Sequence, residues 1–248
     1  MKLKNKVAVV TGGSSGIGQS GAIELAKEGA DLLITFRGNK EGATQTQNKI
    51  KDLGRRCEII KADLESLEDM KMVIAETINK FSKIDILVNN AGEARFTDFL
   101  NDTIDNLEYL LNVDVKSIFL LSQLAAKEMI KNGGGSIINI TSISGIYIND
   151  PGLLSYCVSK AAANMLTKGM AKVLAEYNIR VNAILPGSID TPATQKAPKE
   201  VLEETIRMTP MKKIGDPEDI SKMIVFLSSD DSKFMTGSLV VIDGGLTL

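Results

Sequence analysis

The stretch Thr11-Gly12-Gly13-Ser14-Ser15-Gly16-Ile17-Gly18 constrains the fold more than any other. It follows the apolar run Val7–Val10, short and continuous enough to read as a strand buried on both faces. Residues 19–27 come next, with Ala22, Ile23, Leu25 and Ala26 forming an apolar helical stripe. A strand, a glycine turn and a helix in that order begin a parallel βα unit. The turn aims backbone N–H groups and a helix N-terminus at one point, an arrangement suited to a phosphate. The generic dinucleotide fingerprint has a different glycine spacing. No Walker-type lysine lies in the turn, which argues against nucleoside triphosphate hydrolysis.

The same alternation continues along the chain. Strands are expected at 31–36, 58–61, 84–88, 136–141, 179–185 and 239–242. Helical patterns fall at about 41–53, 67–81, 103–129, 155–177 and 199–208, and the 103–129 pattern is interrupted or bent near Asn112. A further helix starts with Asp216 as cap and Pro217 in its first turn. This is the order of an α/β fold: a Rossmann-type, doubly wound parallel sheet of about seven strands flanked by helices. No composition shift marks a linker, so the 248 residues read as one dinucleotide-binding catalytic domain, 1–248.

Composition removes several function classes. The formal net charge of −2 is spread along the chain, without the basic stripe expected of a nucleic-acid binder. There is no histidine, which excludes a Ser-His-Asp nucleophile system and any His-based metal site, and no metal is expected. Cys57 and Cys157 provide no disulfide framework and read as small buried hydrophobes in a reducing compartment. No apolar stretch is long enough for a membrane span, and the first residues lack a signal core. A cytoplasmic location is the expectation.

Tyr156 and Lys160 stand four apart in a helical pattern, so they share a face one turn from each other. A cation there favours the phenolate and would fit the tyrosine for acid/base work. Such pairs are also common on solvated helix faces, so the pair alone decides little. The wider set is more specific. Asn89-Asn90-Ala91-Gly92 follows the fourth strand, Asn112 lies in the next helical stretch, and Ser142 ends the fifth strand, fourteen residues before Tyr156. With the turn Thr-Gly-x3-Gly-x-Gly, this ordered set resembles the short-chain dehydrogenase/reductase family from about residue 4 to residue 248.

That resemblance implies an oxidoreductase that transfers a hydride between NADP(H) and an alcohol/carbonyl substrate. Tyr156 would be the acid/base, Ser142 would hydrogen-bond the substrate oxygen, Lys160 would hold ribose hydroxyls and lower the tyrosine pKa, and Asn112 would support a proton path. Cofactor contacts are implied at Gly12, Ser14, Ser15, Gly16, Ile17, Gly18, Asp63, Leu64, Asn89, Ala91, Gly92, Tyr156, Lys160, Pro186, Gly187, Ile189 and Thr191. Asp63 has a rival role as a helix cap, and Ser66 with Asp69 offers a capping box. Phe36 stands where an acid would select NAD, and Arg37 follows it as a contact for a 2′-phosphate or as an ordinary solvated arginine. NADP is therefore expected, with NAD also accepted. The resemblance further implies a substrate lid at 190–215, a mainly apolar wall at 145–154 with Asn149 and Asp150 in its turn, and a homotetramer. Nearby branches are the 3-oxoacyl-acyl-carrier-protein reductases and glucose 1-dehydrogenases. A non-catalytic nucleotide-binding regulator would instead show a broken catalytic set. Glu93 and Arg95 read as tuning the pocket or lying on its solvated rim.

Overall fold

The computed structural model describes residues 1–148 and 150–248, so Asn149 lies outside the described residues. Among these, seven strands form one parallel sheet in the order β3-β2-β1-β4-β5-β6-β7. They are β1 (Val7–Val10), β2 (Asp31–Phe36), β3 (Cys57–Lys61), β4 (Ile86–Asn89), β5 (Gly135–Ile140), β6 (Ile179–Pro186) and β7 (Leu239–Ile242). The connecting helices are α1 (Gly16–Lys27), α2 (Lys40–Asp52), α3 (Leu67–Phe81), α4 (Ile104–Leu111), α5 (Ser117–Lys131), α6 (Leu154–Leu174), α7 (Lys199–Met208) and α8 (Pro217–Ser228).

The period of two in each strand divides the core. Ala8, Val10, Leu32, Ile34, Ile86, Val88, Ile138 and Ile140 pack on one face, under α1, α2 and α8. Val9, Leu33, Leu87 and Ile137 pack on the other, with residues of α3, α5 and α6. Continuous Val/Ile/Leu runs suit such strands because both faces are covered. Cys57 and Cys157 are both buried free thiols. No helix among the described residues is long and apolar enough to cross a membrane.

The expected bend near Asn112 is a π-helical turn, Asn112–Lys116, between α4 and α5. Such wide turns rotate the side chains that follow them and often sit at functional sites. Ser66, rather than Asp63, caps α3: its hydroxyl accepts from Asp69 N at 3.2 Å. Asp69 does not close the expected box on Ser66; its carboxylate accepts from Asp63 N at 2.8 Å. Asp219 accepts from Asp216 N at 2.9 Å, closing the start of α8 behind Pro217.

The strand order reverses between β1 and β4, opening a crevice at the carboxyl edge. The glycine turn stands there. Gly12 and Gly16 have φ of 68° and 54°, values that a side chain disfavours. Gly18 is needed for a different reason: a Cβ would collide with Gly12 O and Asn90 Nδ2. Gly18→Ala should therefore destabilise the chain by roughly 1–3 kcal/mol, the usual scale of overpacking. Urea unfolding of both proteins measures this, and an unchanged midpoint would contradict the tight approach of loop and helix.

Candidate active site

Three strand ends meet at the crevice. Gly13 N donates to Thr35 O at 2.9 Å and Gly12 N to Thr35 Oγ1 at 3.2 Å, tying the glycine turn to β2. Ser15 caps α1 without a side-chain hydrogen bond, so the first-turn N–H groups of α1 are not taken up by that hydroxyl. Thr191 borders the same turn, its methyl 3.1 Å from where a Gly16 Cβ would stand.

Asn90 locks the turn from the β4 side. Its Nδ2 donates to Thr11 O at 2.9 Å, while Thr11 Oγ1 accepts from Asn90 N at 2.9 Å and Ala91 N at 3.0 Å. The family resemblance implies a cofactor contact at Asn89 and none at Asn90. The Asn89 side chain is turned inward instead, donating to Ser122 Oγ at 3.1 Å and Asn139 Oδ1 at 2.9 Å. Strand alternation carries the signal: Leu87 faces α5, and Asn89, two residues on, faces the same way.

Tyr156 and Lys160 lie on α6, as their spacing requires. This helix is pinned to the sheet by Asn139 Nδ2, which donates to Thr167 Oγ1 at 2.9 Å. Ser142 follows β5, and its Oγ accepts from Ser144 N at 3.0 Å. The side chain that reaches Lys160 from the π turn is Asp114, two residues beyond Asn112. Lys160 Nζ lies 3.1 Å from Asp114 Oδ1, and Ser159 Oγ donates to Asp114 Oδ2 at 2.7 Å. Asn112 opens that turn and is half-buried. The ion pair is closed to solvent, with side-chain exposures of 4% and 0%. Gly92 leaves room for it: a Cβ there would stand 2.9 Å from Asp114 Oδ1 and 3.1 Å from Lys160 Nζ.

Lys160 Nζ is 5.3 Å from the centre of the Tyr156 ring. Burial pushes the phenol above its ordinary pKa; Lys160 opposes the rise, Asp114 adds to it, and the Ser142 hydroxyl opposes it. Burial alone would lower the Lys160 pKa, but Asp114 and Tyr156 outweigh burial and hold it above its ordinary value.

Arg37 is exposed beyond β2, yet it is not an isolated solvated arginine. Its Nη1 donates to Tyr109 Oη at 2.6 Å and its Nη2 to Glu93 Oε2 at 3.3 Å. Tyr109 Oη donates to Glu93 at 2.8 Å, and the Arg95 guanidinium lies 3.2 Å from the Tyr109 ring centre. Glu93 and Arg95 are thus partly exposed, but Glu93 reaches back to Arg37 beyond β2. Burial opposes ionisation of Glu93, yet Tyr109 and Arg37 hold its carboxyl below the usual range. Asp63 Oδ1 accepts from Glu65 N at 3.1 Å, so this carboxylate is held in a local turn.

On the far side, Pro186 ends β6, and Gly187 N donates to Ile242 O at 2.9 Å. Ile189 is buried, and its carbonyl accepts from Thr194 Oγ1 at 2.6 Å. Asp150 takes its expected place in a turn, accepting from Gly152 N at 2.8 Å.

Comparison with known proteins agrees with this geometry. A family profile described as enoyl-(acyl carrier protein) reductase matches residues 12–247. A 3-oxoacyl-[acyl-carrier-protein] reductase of Thermotoga maritima is 37% identical, with 100% of each chain covered. A short-chain dehydrogenase/reductase of Serratia marcescens superposes with a TM-score of 0.96 at 33% identity, covering 100% of both chains. A 7α-hydroxysteroid dehydrogenase solved with NADH and 7-oxo glycochenodeoxycholic acid gives 0.94 at 36% identity, over 98% of this chain and 95% of that one. The chain belongs to the short-chain dehydrogenase/reductase family and is an oxidoreductase of the kind that uses a nicotinamide nucleotide.

Proposed function

We propose that this chain exchanges a hydride reversibly between NADP(H) and an alcohol/carbonyl substrate, with Tyr156 as the acid/base. The observation that carries the reading is Tyr156 and Lys160 on one face of a pinned helix, at the sheet edge that holds the glycine turn. Glycine at 12, 16 and 92 supports the dinucleotide reading, since a Cβ at any of them would press on residues bordering the crevice and narrow it. When bound, the nicotinamide supplies the redox chemistry. The protein supplies position and protons.

In the reductive direction Tyr156 donates its phenolic proton to the carbonyl oxygen as charge develops there. The Ser142 hydroxyl donates a hydrogen bond to the same oxygen. Lys160 holds the nicotinamide ribose and keeps positive charge beside the phenol. The glycine-turn residues Gly12, Ser14, Ser15, Gly16, Ile17 and Gly18, with Thr191 beside them, receive the phosphates. Asp63 and Leu64 flank the adenine, Ala91 and Gly92 allow close approach, and Pro186, Gly187 and Ile189 border the nicotinamide. Asn89 offers only its backbone. Tyr156→Phe should keep nucleotide binding and lose turnover by a factor of about 10² or more. Near-normal turnover at 340 nm with a carbonyl panel would remove Tyr156 from its role.

Ile146, Tyr147 and Ile148 follow Ser142 and expose much of their apolar surface, 37% for Tyr147 and over half for the two isoleucines. That wall favours a substrate with an apolar body, and so a 3-oxoacyl or similar carbonyl compound over glucose.

Arg37 supports acceptance of NADP, through a planar set of donors for the 2′-phosphate. Glu93 competes for the same guanidinium, which makes the preference over NAD modest. Arg37→Ala should weaken NADP about tenfold, the low end for a charged hydrogen bond, and spare NAD. Glu93→Gln should tighten NADP relative to NAD. Calorimetric titration of both variants with both nucleotides decides this; equal changes for the two nucleotides would defeat the preference.

Phe119 on α5 and Val158, Met165 and Val173 on α6 expose about half or more of their surface, 67% for Met165. These faces support assembly as a homotetramer with closed symmetry. Light scattering at micromolar protein is expected to give about four chain masses. A single species at 26.7 kDa would count against it.

A further inference from the structure

We propose that Asp114 is a positioning residue that sets the proton affinity of Tyr156 through Lys160, biasing the site toward giving a proton rather than taking one. The inference rests on the reading of Tyr156 as acid/base. It departs from that reading where Lys160 alone would tune the phenol.

The geometry assigns Asp114 this place. Both of its oxygens are occupied, Oδ1 by Lys160 Nζ and Oδ2 by the Ser159 hydroxyl. The acid is nearly closed to solvent, at 1% exposure, and comes from a π turn that rotates it onto α6. Two full charges buried together interact strongly, because little water screens them. An unbalanced ammonium beside the phenol would draw it toward phenolate. Here the ammonium is matched by a carboxylate, which itself repels a phenolate. The direction of the phenol's shift agrees, since Asp114 adds to the rise that burial starts.

The other groups facing the pair do not reverse this. On α6 these are Tyr156 itself, the Ser159 hydroxyl and the Cys157 thiol, whose pKa burial pushes up, so that it stays neutral. From the segment after β5 comes Ser142, a neutral donor. Gly92, after β4, contributes no side chain. An amide at position 114 could still accept from Lys160 through its oxygen while removing one negative charge.

Tyrosinate absorbance at 295 nm tests this on the full chain without nucleotide. The chain has four tyrosines, and subtracting the curve of Tyr156→Phe isolates Tyr156. In the wild type Tyr156 should titrate above the ordinary tyrosine value of about 10. In Asp114→Asn it should titrate lower by about one pH unit, the scale of a charge removed a few ångströms away. The alkaline rise of alcohol oxidation should move down with it, whereas damage to packing alone would lower turnover at every pH. An unchanged or raised titration in a folded Asp114→Asn overturns the proposal. Should that variant not fold, Asp114→Ser takes its place: a Tyr156 midpoint below that of the wild type supports the proposal, and an equal or higher one overturns it. Persistent turnover in Tyr156→Phe would defeat the acid/base reading instead, and leaves this titration untouched.

Discussion

The lock between Thr11 and Asn90 sets the geometry of everything at the carboxyl edge. Parallel strands that run outward in both directions from β1 and β4 leave a gap between their ends, and that gap must not widen or close. Thr11 spans it: one buried hydroxyl accepts from two successive N–H groups on the β4 side. Asn90 answers with its amide on Thr11 O. Each bond has a modest net value of about 1 kcal/mol, but a buried donor left alone costs more. The set therefore acts as one unit. Two residues past Asn90 stands Gly92, against the Asp114–Lys160 pair. The glycine turn and the Asp114–Lys160 pair are thus linked through residues 90–92.

A second polar ladder holds α6. Asn89 donates to Ser122 of α5 and Asn139 of β5, and Asn139 donates to Thr167 of α6. Hydrophobic packing of α5 and α6 would tolerate sliding by a fraction of a turn, because apolar contact is not directional. Buried amides do not tolerate it, since a displaced partner leaves polar atoms unpaired in a low-dielectric interior. The register of α6, and with it the height of Tyr156 and Lys160 above the sheet, follows from this ladder.

Much of this was legible in the sequence because it rests on local rules. Continuous Val/Ile/Leu runs, glycines at fixed spacing and a four-residue Tyr–Lys interval each announce their own geometry. Three features were not legible, for different reasons. Asn89 and Asn90 are neighbours of the same type, and only the alternation of β4 separates the inward one from the one that meets the glycine turn. Asp114 meets Lys160 from within the π turn, whose extra residue per turn breaks the ordinary helical spacing. An acid set between Val113 and Val115 was the available sign of a buried partner. Arg37 finds Glu93 and Tyr109 from distant segments, and no local spacing reports such a contact.

The absence of histidine gives these pairings their weight. No side chain here has an ordinary pKa between 5 and 8, so acid/base work near neutral pH cannot be left to one unaided group. It must come from groups moved by their neighbours, and the neighbours present are a cation and an anion. Lys160 without Asp114 would be a buried charge with no partner, unfavourable to fold and strongly attractive to a phenolate. With Asp114 the helix is easier to bury and the phenol keeps its proton more firmly. One carboxylate thus serves two requirements: it neutralises a charge that the core would otherwise reject, and it raises the proton affinity of the phenol nearby.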